Sequence, residues 1–125
     1  MYYAGIDYHK RYSIVSIQNG QGQIVQEQRV EHTFPELFGG LFRECPEPVA
    51  VVYESTLNWS WLYEILQTLK NVCSITLANL CKVRLIAEAE IKIDQINARV
   101  LATLLRLHVV PGVPEFRGHH IMALS

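Results

Sequence analysis

Apolar and polar residues alternate through the first thirty positions of the chain. In "YYAGID" Ala4 and Ile6 alternate with Tyr3, Gly5 and Asp7, and "YSIVSIQ" and "QIVQEQRV" keep the same period with β-branched residues on either side of "NGQG". This predicts an antiparallel three-stranded meander over residues 1 to 30, with a tight hairpin at Asn19 and Gly20. The period then lengthens. Phe34, Leu37, Phe38, Leu41 and Phe42 recur at helical spacing after "TFPE", where Thr33 can cap a helix and Glu36 can reach back to it, although Gly39 and Gly40 weaken the element. "PVAVVYE" is almost continuously apolar, as a central strand covered on both faces must be, and it ends in an acid at Glu54. Leu62, Ile65, Leu66 and Leu69 form a second helical stripe, "CSITLA" a fifth strand, and residues 79 to 108 read mostly as helix.

Three strands, helix, strand, helix, strand and helices make an α/β chain. An antiparallel meander that feeds parallel strands through helical crossovers gives a mixed five-stranded sheet flanked by helices, the plan of an RNase H-like domain. The linker-like stretch "VVPGVPEFRG", with Pro111, Gly112 and Pro114, divides the chain into a domain over 1–110 and, over 111–125, a linker with the start of a further region.

Composition narrows the class. Half of the 125 residues are hydrophobic and 18% are charged, which suits one globular domain with a real core. The run "PVAVVY" is far shorter than the ~20 residues needed to cross a bilayer, and the N-terminus lacks the parts of a signal peptide, so a cytoplasmic protein with no membrane partner is expected. Cys45, Cys73 and Cys81 are odd in number and without a CxxC pair, which argues against a disulfide framework or a zinc site. The net charge of -1 lacks the overall basic surplus usual in nucleic-acid binders. Locally, five cations (Lys82, Arg84, Lys92, Arg99 and Arg106) stand against three acids (Glu88, Glu90 and Asp94), a surplus of two that by itself reads first as a solvated helix face.

The acids carry the candidate chemistry. Asp7 closes the first strand, Glu54 closes the fourth, and Asp94 in "KIDQINA" opens the last long helix. If the first and fourth strands lie side by side, two strand ends and a helix start can gather three carboxylates. Such a group needs a counter-charge, and Mg²⁺ takes hard oxygen ligands of this kind. Two such ions ~4 Å apart can activate an attacking oxygen and stabilise a leaving one in phosphodiester chemistry. Residues three apart on a helix share a face, which would aim Asn97 where Asp94 points.

These segments resemble the DEDD transposases of the IS110 insertion-sequence family, relatives of the pilin-gene invertase, whose N-terminal half is a RuvC-like domain of RNase H type. "GIDYHK" is similar to the family's opening strand with its first catalytic Asp, "YESTLNW" to its Glu motif, and "KIDQINARVLATLL" to its Lys-Thr/Ser-Asp-x-x-Asp-Ala segment. "ANLCKVRLIAEAEIK" is similar to its Asn-Pro-x-x-Val-Lys stretch. The resemblance spans nearly the whole chain. It implies a catalytic site of Asp7, Glu54, Asp94 and Asn97 binding Mg²⁺ or Mn²⁺, metal-dependent cleavage and transfer of DNA strands, a structured guide RNA as partner, and a homo-oligomer. Sequence specificity would then reside largely in base pairing.

Two departures qualify the pattern: Asn97 stands where the family has its fourth acid, and nothing around Ser125 resembles the motif of the nucleophilic serine that the family carries in its C-terminal domain. The fragment alone is therefore expected to be inactive in recombination. His9 and Lys10, in the turn after the first strand, and Lys82, Arg84 and Lys92 are candidate nucleic-acid contacts beside the site. Trp59, Trp61 and Tyr63 read as packing aromatics. The competing function is a non-catalytic RNase H-like module for nucleic-acid binding or dimerisation. A sugar-kinase type of nucleotide site fits less well, because "DYHKRYS" has no glycine for a phosphate hairpin.

Overall fold

The structure, a computed structural model, describes residues 1–79, Leu85, residues 96–107 and the backbone of Ile121–Ala123. Its elements are β1 (Tyr2–Tyr8), β2 (Tyr12–Gln18), β3 (Ile24–Glu31), α1 (Glu36–Arg43), β4 (Val49–Glu54), α2 (Trp59–Leu66), β5 (Val72–Ala78), α3 (Ala98–Arg106) and β6 (Ile121–Ala123). The sheet runs in the order β3-β2-β1-β4-β5-β6. The β1–β2 and β2–β3 pairs are antiparallel, and the β1–β4, β4–β5 and β5–β6 pairs are parallel. The five expected strands thus form in the expected senses, in an α/β fold of RNase H-like plan. A short sixth strand joins the edge at β5. Among the described residues no helix is long and apolar enough to cross a membrane.

Strand alternation divides the core between the two faces. Ala4 and Ile6, Val15 and Ile17, and Val51 and Tyr53 turn to one face, where Phe38, Leu41 and Phe42 of α1 and Leu62 and Leu66 of α2 cover them. On the other face Val100, Leu101, Leu104 and Leu105 of α3 cover Ala50, Val52 and Ala78. The central strand β4 is buried from Val49 through Tyr53, and exposure returns only at Glu54.

Three local expectations are corrected. The β2–β3 connection is a five-residue loop, Asn19 to Gln23, in place of a two-residue hairpin at Asn19 and Gly20. Asn19 Oδ1 accepts from the backbone N–H of Gln21 and of Gln23, each at 3.0 Å, and the positive φ of 84° falls on Gly22. The asparagine side chain does the work of a backbone turn, and the loop closes across a register shift at Ile17 and Gln18. The capping box does not form: α1 begins after Pro35 without a side-chain cap, and the backbone carbonyls of Phe34 and Pro35 accept from the N–H groups of Leu37 and Phe38 in its place. The last described helix opens at Ala98, four residues beyond Asp94.

Two tyrosines tie the strand ends to α2. Tyr53 Oη donates to the Trp59 carbonyl at 2.6 Å and Tyr8 Oη donates to the Asn58 carbonyl at 2.8 Å, with the two rings edge to face at 5.5 Å. Burial raises the ionisation of both phenols above the ordinary value of 10.0. An unfolded chain releases these protons first as the pH rises, so their contribution is complete below pH ~10 and is lost above it. Denaturation midpoints followed from pH 7 to 11.5 should therefore fall above pH ~10. In Tyr53→Phe, which costs about 1 kcal/mol at neutral pH, the alkaline fall should be shallower. An identical alkaline slope in that variant would exclude Tyr53 as its source.

Candidate active site

The apolar runs that build the centre of the sheet also place its acids. β1 and β4 pair as far as Ile6 and Tyr53, so Asp7 and Glu54 are each the first residue beyond the last paired position of two neighbouring strands. Asp7 follows Gly5 by two residues and Glu54 follows Val52 by two, so both carboxylates belong to the face that α3 covers. Both side chains are half-buried.

α3 lies on this face through a glycine contact. A Cβ on Gly5 would stand 2.1 Å from the Ala98 carbonyl oxygen and 2.5 Å from the Ala102 nitrogen, so only a bare backbone admits the helix. Further along α3, Thr103 Oγ1 accepts from Gln18 Nε2 at 2.9 Å, and Arg106 Nε donates to Gln18 Oε1 at 3.2 Å. Gln18 pairs with Tyr3 at the start of β1. The helix therefore runs against β1, and its N-terminus, the positive end of its dipole, points toward the strand ends that carry Asp7 and Glu54. Arg99 fixes the helix laterally with two bonds to the Glu27 carboxylate, at 2.6 and 2.7 Å, and these hold that acid below its ordinary ionisation range.

Asn97 sits at this N-terminus as the cap. Its backbone is extended, with φ -137° and ψ -176°, and its Oδ1 accepts from the Val100 N–H at 3.0 Å. The helical three-residue relation used to align it with Asp94 therefore does not apply, since neither Ile96 nor Asn97 is helical. Asp94 itself, with Lys82, Arg84 and Lys92, lies outside the described residues. Among the described residues no three His, Cys, Asp or Glu side chains gather into a metal-binding group.

His9 is turned toward the acids. Its Nε2 stands 3.0 Å from Asp7 Oδ2, within ion-pair distance. The imidazole stacks on the Tyr12 ring at 4.5 Å and 19°, and the Arg29 guanidinium stands 3.7 Å from the centre of the same ring. Lys10 and Arg11 occupy the exposed tip of the turn and line a shallow depression with His32, Asn58 and Trp61. The Trp61 ring packs against His32 at 4.7 Å and Tyr8 at 6.4 Å, and Trp59 against Tyr63 at 6.1 Å, the packing roles expected of these aromatics.

Sequence reasoning missed Gly5, Tyr12 and Arg29. A glycine inside an alternating strand was the available sign of a close backbone approach. The stacking of His9 on Tyr12 had no counterpart in sequence spacing.

The family model of the IS110-type DEDD transposases, described as a transposase, matches residues 4–124. No curated protein matches the chain.

Proposed function

The chain belongs to the DEDD transposases of the IS110 family, and from this premise we propose that Asp7 and Glu54, completed by Asp94, form the catalytic site for metal-dependent cleavage and transfer of DNA strands. The observation that supports it most is that β1 and β4 pair in parallel up to Ile6 and Tyr53, directly before Asp7 and Glu54, on the face against which α3 lies. This donor set is all carboxylate oxygen, which suits Mg²⁺ or Mn²⁺ and not a softer ion. Such an ion would supply activation of the attacking oxygen and stabilisation of the leaving one. The chain's own contribution is to hold the carboxylates in register, with the helix N-terminus beside them. Lys10, at the tip of the adjoining turn, is placed to contact a backbone phosphate.

In this reading residues 1–110 are the RuvC-like catalytic domain and 111–125 lead to a further domain that supplies the serine. Lys82, Arg84 and Lys92 add phosphate contacts. As the resemblance to the family implies, a guide RNA supplies the sequence specificity and the working unit is a homo-oligomer. A second reading, the non-catalytic RNase H-like module, is favoured by one observation: the Asn97 side chain is already committed to capping α3.

Manganese titration by calorimetry separates the two. Asn97→Asp keeps the cap, because Asp and Asn cap equally well, and adds a charged second oxygen near the acids. It should tighten Mn²⁺ binding about tenfold or more and leave apo stability equal or slightly higher, since the added charge suits the helix dipole. Asn97→Ala should lose about 1 kcal/mol of stability with no gain in affinity. No detectable Mn²⁺ binding by either the parent protein or Asn97→Asp would leave the non-catalytic module as the function.

A further inference from the structure

We propose that His9 is a positioning residue for Asp7, held by a stack of Arg29 on Tyr12 on His9, and that it presents one carboxylate oxygen of Asp7 to the divalent ion by occupying the other. The inference rests on the metal-site reading above and extends it to Tyr12 and Arg29, which have no role in that reading, and to His9, expected from the sequence as a nucleic-acid contact.

Asp7 is the last but one residue of β1 and its side chain is one-third exposed, so strand pairing fixes its backbone and leaves the carboxylate free to rotate. The contact of His9 Nε2 with Asp7 Oδ2 at 3.0 Å limits that freedom. His9 is itself in a turn, closed by its N–H donating to the Tyr12 carbonyl at 2.9 Å, and 41% of its side chain is exposed. An imidazole so placed would swing among rotamers without a second support. The Tyr12 ring supplies it at 4.5 Å, nearly parallel.

Tyr12 is held in turn. The Arg29 guanidinium lies 3.7 Å from the Tyr12 ring centre, too close for the imidazole to share that side, so the two cover opposite faces of the ring. Arg29 Nε donates to Glu31 Oε1 at 2.8 Å, and Glu31 pairs with Tyr12 across β2 and β3. The support therefore runs from the edge strand to Asp7 through groups anchored in paired strands. Hydrogen-bond partners that orient metal ligands typically alter metal affinity by ~10–100-fold when removed.

The test is Mn²⁺ titration by calorimetry at one fixed pH, with apo melting temperatures measured alongside. His9→Ala should weaken Mn²⁺ binding by ~10–100-fold, while His9→Gln, which keeps an N–H donor, should recover most of the loss. Tyr12→Phe preserves the stacking face and should bind as the parent does, whereas Tyr12→Ala should weaken binding. Apo melting of His9→Ala should stay close to the parent, because the His9–Asp7 contact is largely exposed. Asp7→Ala separates the two levels of the argument. If it abolishes Mn²⁺ binding while His9→Ala binds as tightly as the parent, His9 does not position Asp7. If Asp7→Ala leaves Mn²⁺ binding intact, the metal-site reading falls, and this inference with it.

Discussion

Gly5→Ala will destabilise the protein by several kcal/mol, close to what a domain of this size has available. The atoms in the way, 2.1 and 2.5 Å from the added Cβ, are the Ala98 carbonyl oxygen and the Ala102 nitrogen. These are backbone atoms of α3, so no rotamer change relieves the contact. The helix must retreat as a body from β1, which opens the packing of Val100, Leu101, Leu104 and Leu105 against Ala50, Val52 and Ala78. Urea denaturation provides the measurement, and Gly40→Ala provides the control. Gly40 lies within α1 with nothing within 4 Å of an added Cβ, so alanine there should stabilise by about 0.5–1 kcal/mol. A Gly5→Ala protein as stable as the parent would mean that α3 does not lie against β1 at this point.

The second large effect is on the site itself. Asp7→Asn combined with Glu54→Gln will weaken Mn²⁺ binding at the proposed site by more than ~100-fold, since residues that would hold the ion directly matter at least as much as the groups that orient them. The apo fold should be as stable as the parent or slightly more so, because two neighbouring like charges are replaced by amides of the same shape. These opposite signs are the diagnostic feature. Thermal denaturation can read them together: an ion at a hundred times its Kd stabilises the parent by about 2.7 kcal/mol and should leave the double variant unmoved. An equal ion-induced rise in both proteins would place the ion elsewhere.

The parts of this architecture that show plainly in the sequence are those fixed by periodicity. The alternation of "YYAGID", "YSIVSIQ" and "QIVQEQRV" specifies the meander, because an error of one residue would turn every apolar side chain to the wrong face. "PVAVVYE" announces both a central strand and its last residue, since the apolar run stops where burial stops. The details that depend on local hydrogen bonding are less visible. Asn19 and Gly20 match a two-residue hairpin in composition, yet the Asn19 side chain bonds two residues and four residues ahead and draws a wider loop. The start of α3 is a similar case. Asn97 ahead of "ARVLATLL" is a good N-cap signal, but the helical pattern extends through residues 79 to 108 and conceals it. At the site, Asp7 and Glu54 were legible as strand-terminal acids. The contribution of Gly5 and the stack on Tyr12 arise only once β1, β2 and α3 are assembled.

The parallel pairing of β1 with β4 also has a consequence for the order of assembly. β1, β2 and β3 meet through short connections and can zip together early, while β1 and β4 join residues more than forty positions apart, as Ile6 and Tyr53 show. Asp7 and Glu54 are consequently strangers in a half-folded chain. At the proposed site, an ion that needs both carboxylates would have nothing to grip until this long-range closure is complete, and its binding would hold that last step shut against reopening.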